Sequence, residues 1–371
     1  AWACLAFCLV MVPAGRMQDK LGPRIVASLG GVLVGLGMIM ASLLGNSPWG
    51  WLIGFGILSG AGIGFAYASA TPPAVKWFPA SKTGQIAGIV VSGFGLASVY
   101  IAPLGNWLIN SFGLETTAMV FGIGFFILVV GLAQLLVPPP EGYVPAGTPP
   151  KPKTEAGTMV RKEDFLPSEM LKTWQFYALW FMYACGAGAG LMVISVAKKL
   201  GKSADETGRA GVIAVTTLAI GNGAGRLIAG MLSDKLGRKL TMFLYFVSQA
   251  VMVVLLALAA KGGMLGGTVA LAIIAALVGA NYGANLALFP SATKDYYGLK
   301  NFGMNYGLVF TAWGIGGYLL AKFAAGVYDG KFVQAWKGSF DFAFYTSAVL
   351  LILAAVMTFV VRPPQNEEKA S

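Results

Sequence analysis

The 371 residues contain no histidine. That excludes histidine triads, imidazole metal sites and imidazole proton relays. Cysteine is nearly absent. Cys4, Cys8 and Cys185 lie in apolar stretches, too few and too scattered for a disulfide framework or a zinc site, and read as small buried hydrophobes. Charge is scarce as well: Asp, Glu, Lys and Arg make up 11% of the chain, where a soluble domain carries about 25%. An ordinary soluble enzyme and a disordered chain are both excluded. The net charge of +11 does not point to nucleic acid, because the basic residues sit in short gaps between apolar runs and not on one wet face. Acid is missing where it would count most. None of the 15 Asp and Glu falls deep in an apolar run.

What is abundant is apolar: 57% of residues are hydrophobic, and the mean hydropathy is +0.72. A membrane span needs about 20 such residues. Windows that fit are 1–14, 25–44, 50–75, 84–110, 116–137, 173–197, 207–232, 240–260, 266–289, 303–327 and 340–361, the first cut short. The opening AWACLAFCLVMVPAG has no basic residue before it and no small-residue cleavage site after it, so it reads as the end of a membrane helix and not as a signal peptide. Glycine is frequent within the spans, where it lets helix backbones approach closely. Thr71-Pro72-Pro73 and Phe289-Pro290 are expected to kink or end their helices.

One gap differs in kind. Residues 138–172 hold eight prolines and many polar residues, the composition of a linker. The chain thus divides into residues 1–137, the linker 138–172, residues 173–362 and a tail, 363–371. The two apolar halves repeat each other. Gly15-Arg16-Met17-Gln18-Asp19-Lys20-Leu21-Gly22-Pro23-Arg24 returns as Gly230-Met231-Leu232-Ser233-Asp234-Lys235-Leu236-Gly237-Arg238-Lys239, at an offset of 215. Val91-Ser92-Gly93-Phe94-Gly95 answers Phe310-Thr311-Ala312-Trp313-Gly314 at an offset of 219, and Gly84 and Gly88 answer Gly303 and Gly307. Matching the halves leaves roughly one helix lacking before Asp19, so the expected design is six plus six helices with the first one missing. Placing the Asp-Lys-Leu-Gly loops, the linker and the tail on one side collects 17 of the 26 Lys and Arg there, which makes that side cytoplasmic. The expected setting is the inner membrane, crossed many times.

The repeated loop has a physical logic. Gly15 and Gly230 end one helix and allow close packing. Asp19 and Asp234 can cap the next helix and pair with Lys20, Arg24, Lys235 or Arg238. Gly22 and Gly237 make the tight turn. A charged latch of this kind can hold two helices in one state and release them in another. The doubled loop, the linker and the repeat resemble the major facilitator superfamily. That resemblance implies an all-α membrane protein of two six-helix bundles around a central cavity, opening to each side in turn.

Two stretches narrow the resemblance. Gly221-Asn222-Gly223-Ala224-Gly225-Arg226-Leu227-Ile228-Ala229-Gly230 is one. The other is Asn281-Tyr282-Gly283-Ala284-Asn285, followed by Asn305-Tyr306-Gly307-Leu308-Val309-Phe310-Thr311-Ala312-Trp313-Gly314. Together they are similar to the oxalate:formate antiporters and the monocarboxylate transporters. Arg226 stands out on its own terms. An Arg that deep in a span costs at least ~2.5–3.5 kcal/mol, and no deep acid is available to pair with it. An incoming carboxylate can supply the partner through a bidentate pair; snorkelling to the surface is one alternative, and an acid in the missing first helix is the other.

Asn222 lies one turn before Arg226 on the same face. In the monocarboxylate transporters resembled here an Asp tied to proton coupling stands at this place. Asn does not titrate, so a co-transported proton needs another route. The oxalate:formate antiporters carry a Lys where this chain has Trp313, and loss of that cation favours a monocarboxylate over oxalate. Tyr282, Asn281, Asn285, Phe310 and Tyr67, the last matching Tyr282 at the offset of 215, complete the expected substrate-binding set with Arg226, Asn222 and Trp313. For the aromatics helix packing, and for the asparagines an interhelical hydrogen bond, is the competing explanation.

The function that follows is secondary transport of small monocarboxylates of the lactate, pyruvate, formate or acetate class, with oxalate:formate exchange as the alternative. No nucleophile–base pair or metal-ligand set supports an intramembrane enzyme, and no appended domain supports a sensor. No cofactor or metal is expected. The expected partners are a small carboxylate and membrane lipid, and the fold-level default is a monomer.

Overall fold

The computed structural model describes residues 2–140, 142–148, 159–161, 164–204, 209–259, 267–365 and 367–369. Every expected apolar window holds helix. Before the linker run α1 (Trp2–Leu21), α2 (Pro23–Leu43) and α3 (Pro48–Lys76). The next helical stretch, Thr83–Ala133, divides at Gly113 (φ +83°) into α4 (83–112) and α5 (114–133). After the linker come α6 (Trp174–Ala204), α7 (Arg209–Leu236), α8 (Arg238–Ala259), α9 (Thr268–Tyr297), α10 (Phe302–Tyr328) and α11 (Asp341–Val360). The only strands among the described residues form a short antiparallel ribbon, Met159–Arg161 with Glu367–Lys369.

Local chemistry explains the breaks. Gly22 (φ +82°) and Gly237 (φ +85°) each turn the chain within one residue, a conformation that side-chain-bearing residues resist. In α3, Trp51–Ser59 winds as a π-helix. The regular helix stops after Ala68, and Pro72 and Pro73 open the short final piece Thr71–Lys76, where their missing N–H groups cost nothing. Pro290 behaves differently. It lies inside α9, which continues to Tyr297.

Two bundles result. Within the first, α2 packs on α3 and α5, and α1 on α3; within the second, α9 packs on α7 and α10 on α6. The bundles meet along two seams, α1 against α10 and α4 against α7. Large apolar side chains, among them Ile127, Leu132, Val349 and Val356, face outward. In water they would be an aggregation liability, whereas in lipid they face their own kind. The far end of the linker is pinned: Asp164 Oδ1 accepts the N–H groups of Leu299 and Lys300 at 2.9 Å each, and the Phe165 N–H donates to the Tyr297 carbonyl at 3.0 Å. The middle of the linker, 149–158, lies outside the described residues.

Candidate functional site

At one end of the molecule the two Asp-Lys-Leu-Gly loops reach across both seams. Asp19 accepts the N–H groups of Gly303 and Met304 at 3.1 and 3.0 Å. Asp234 accepts those of Gly84 and Gln85 at 2.9 and 2.7 Å. Each carboxylate therefore sits on the N-terminus of a helix in the opposite bundle, where unpaired N–H groups and the helix dipole favour negative charge. This corrects the expectation that they cap the next helix. Pro23 already opens α2 without an N–H to offer, and the one-residue turns leave the carboxylates free to point across. The expected pairing with a nearby cation occurs once: Arg238 Nη1 binds Asp234 Oδ1 at 2.6 Å, and its Nε binds Asp295 at 2.9 Å. Pro23 holds the corresponding place in the first copy. Among the described residues Lys20, Arg24 and Lys235 form no ion pair. Beneath the carboxylates the backbones nearly touch. A Cβ on Gly303 would lie 2.6 Å from the Gly15 carbonyl oxygen, and one on Gly84 2.5 Å from that of Gly230.

Arg226 lies midway along α7 at the second seam and is fully buried. Its Nε donates to Asn222 Oδ1 at 3.1 Å. Its Nη1 crosses the seam to the Val91 carbonyl of α4 at 2.6 Å, and the guanidinium carbon stands 5.3 Å from the Phe94 ring centre. Nη2 has no hydrogen-bond partner among the described residues, and no described carboxylate pairs with this cation. A buried donor left unmade costs about 1–3 kcal/mol, more for a charged group.

Aromatic rings from both bundles continue the site. Phe7 of α1 and Tyr67 of α3 meet Phe310 of α10, whose ring centre is 5.1 Å from Phe7, 5.3 Å from Tyr67 and 5.2 Å from Trp313; Phe94 of α4 joins them through Tyr67, at 5.6 Å. Trp313 Nε1 donates to the Tyr282 hydroxyl at 3.0 Å. Tyr183 of α6 stacks on Phe289 at 4.1 Å, and Tyr306 packs 5.7 Å from Phe310. Tyr67, Tyr183 and Tyr282 all stand within electrostatic reach of Arg226. At the end away from the Asp loops, a cleft of about 480 Å³ opens between α4 and α7, with Ser98, Asn106 and Thr216 as its polar lining.

The structure thus brings Arg226, Asn222, Tyr282, Trp313, Phe310 and Tyr67 into one neighbourhood. It places the other two asparagines elsewhere. Asn281 donates to Ser248 of α8 at 3.1 Å, and Asn285 donates back to the Asn281 carbonyl at 2.9 Å. Phe7, Val91, Phe94, Tyr183, Phe289 and Tyr306 join the site without having been singled out for it. A signal existed for two of them. Val91 and Phe94 are the repeat mates of Phe310 and Trp313, and all four lie here.

The sequence matches the profile of the Major Facilitator Superfamily over residues 1–213 and again over 189–371. It is 31% identical over 306 residues to an uncharacterized MFS-type transporter, YhjX, of Escherichia coli strain K12, covering 82% of this chain and 71% of that one. It is 29% identical over 365 residues to the oxalate:formate antiporter of Oxalobacter formigenes, covering 96% and 81%. Among solved structures, the Escherichia coli fucose:proton symporter FucP superposes with a TM-score of 0.68 at 17% identity, over 98% of this chain and 90% of that one.

Proposed function

We propose that this chain, which belongs to the Major Facilitator Superfamily, carries small monocarboxylates of the lactate, pyruvate, formate or acetate class across the inner membrane. It is a multi-pass membrane transporter and not an enzyme. The bundles 1–137 and 173–362, joined by the linker 138–172, rock about the site, with the Asp loops, linker and tail on the cytoplasmic side.

One observation carries the reading. Arg226 is a fully buried cation with a spare Nη2 and no carboxylate partner among the described residues. A substrate carboxylate supplies the missing charge and takes the free donor. Rings from both bundles offer an apolar wall to the rest of a small acid. A carboxylate that spans Nη2 and Nη1 replaces the Val91 carbonyl as the acceptor of Nη1, so binding loosens the seam that the empty protein keeps shut.

Exchange of oxalate for formate is the second reading, favoured by the 29% identity to an antiporter of that name. A dianion calls for two cations, and the resemblance drawn from the sequence implies that Trp313 stands where those antiporters carry a Lys.

The test is uptake of labelled lactate into proteoliposomes holding the full-length protein. Unlabelled lactate, oxalate or formate is placed inside, with and without a pH gradient. Lactate uptake that Arg226→Ala abolishes in a folded protein supports the reading. A folded Arg226→Ala protein transporting at the unaltered rate overturns it. Uptake only against internal oxalate or formate moves the assignment to exchange.

A further inference from the structure

We propose that Asn301 is a second cap for α10, a rival to Asp19, and that the end of the linker decides between them. With Asp19 docked, the Phe165 carbonyl holds the Asn301 amide away from its own helix. When the bundles part at the loop end, Asn301 turns and takes the N–H groups that Asp19 gives up. The inference concerns the loop-end gate and stands apart from the identity of the substrate.

Asn301 occupies the N-cap position of α10. Asparagine is among the strongest residues there, because its side-chain oxygen accepts from the second or third N–H of the helix. In α10 those two groups belong to Gly303 and Met304, and Asp19 holds both, at 3.1 and 3.0 Å. The Asn301 side chain makes no bond to its own helix. Its Nδ2 donates instead to the Phe165 carbonyl at 3.1 Å, and Nδ2 of Asn305, one turn on, donates to the same oxygen at 3.0 Å. Two donors use both lone pairs of that carbonyl. Phe165 is firmly seated. It is fully buried, its ring lies 5.5 Å from that of Tyr297, and Asp164 beside it binds the N–H groups of Leu299 and Lys300.

The repeat supplies the contrast. At the offset of 219 that pairs Gly84 with Gly303, Asn301 answers to Lys82. Lys82 is the N-cap residue of α4, and an ammonium has no acceptor to offer an N–H. Asp234 therefore has no rival at its seam, and Arg238 fixes it further at 2.6 Å. Asp19 has neither advantage: it forms no ion pair among the described residues, and a competent cap stands at the start of the helix it binds. When α4 leaves Asp234, the N–H groups of Gly84 and Gln85 lose their partner. When α10 leaves Asp19, Asn301 replaces it at once. The seam of α1 with α10 is the softer of the two, and the linker holds its switch.

Ala14, buried on α1 beside Gly15, reports opening when changed to Cys in a protein whose Cys4, Cys8 and Cys185 are replaced by Ala. Its alkylation is followed in full-length protein in proteoliposomes without substrate. Size-exclusion behaviour and thermal melting report folding. Asn301→Ser keeps a good neutral cap that is too short to reach the Phe165 carbonyl, and the rate is expected to rise about threefold or more. Asn301→Gln keeps an amide for Phe165 but is too long to turn back onto its own helix, and the rate is expected to fall by about the same factor. Simple loosening of the turn would raise both. Folded variants that move the rate in the same direction, or leave it unmoved, overturn the inference. Lys82→Ser beside Lys82→Ala puts the same question to the other seam with Asn301 untouched. Both remove the charge and only serine can cap, so Lys82→Ser is expected to react about threefold faster than Lys82→Ala. A rate for Lys82→Ser equal to or below that of Lys82→Ala overturns the inference as well.

Discussion

Arg226 donates to the carbonyl oxygen of Val91 at 2.6 Å, across 135 positions of sequence and from one bundle to the other. A main-chain carbonyl is a neutral acceptor. It satisfies one N–H of the guanidinium and leaves its charge uncompensated. The contact ties the cation to the seam, so whatever neutralises Arg226 also acts on the packing of α4 against α7.

Asn222→Asp tests that electrostatic balance. The new carboxylate would stand where Asn222 Oδ1 now accepts from Arg226 Nε at 3.1 Å, and would compete with substrate for the cation. Uptake is expected to fall several-fold at neutral pH. It recovers as pH drops, because protonation of the new Asp releases Arg226. The wild type, with an amide there, shows no such recovery. Initial uptake rates across a pH series check this.

Asp19→Asn and Asp234→Asn weaken the cross-bundle caps while keeping side-chain shape. A charge at a helix N-terminus contributes about 0.3–2 kcal/mol, so each change is expected to raise the population open at the loop end by up to about thirtyfold. Ala87, buried on α4 near that end, serves as a reporter when changed to Cys in a protein whose three native cysteines are replaced by Ala. Its alkylation rate is expected to rise in either variant, and to rise by the product of the two factors when they are combined.

Gly303→Ala opens the same end by another route. The added methyl would lie 2.6 Å from the Gly15 carbonyl oxygen, and backbone on both sides cannot yield. The Ala87→Cys reporter should again react faster, with the fold of each bundle intact by circular dichroism. An unmoved rate would show that the seam tolerates the methyl.

Trp313→Lys adds a second cation among the aromatic rings and removes the bond to Tyr282. Oxalate is expected to become an inhibitor of lactate uptake in this variant, having had little effect on the wild type. Competition at fixed lactate reads it out. Strong oxalate inhibition of the wild type would favour the exchange reading.

The helices were legible because a membrane span is a composition as much as a pattern: twenty apolar residues leave few alternatives. The turns at Gly22 and Gly237 were legible because only glycine suits them. Targets of the Asp19 and Asp234 carboxylates were not, since a backbone N–H is carried by almost every residue and marks none. Only the repeat of Gly84 in Gly303 hinted at them. Arg226 announced itself by depth and solitude. Val91, its partner, could not, for the same reason as the N–H groups. The asparagines Asn222, Asn281 and Asn285 look alike in sequence, and α9 is buried on nearly every side from Asn281 to Thr293. Periodicity therefore gave no direction to Asn281 or Asn285, and the structure seats them against Ser248 and the α9 backbone.

A buried cation without a fixed counter-ion also has an electrical consequence under the proposed reading. The empty carrier holds one positive charge at its centre, and the carrier loaded with a monocarboxylate holds none. A full elementary charge crossing the membrane field is worth about 2.3 kcal/mol per 100 mV, and a reorientation about a central site moves some fraction of it. Return of the empty carrier therefore feels the membrane voltage, whereas passage of the loaded one does not. One-for-one exchange of monocarboxylates would be electrically silent, while net uptake would quicken or slow with the potential.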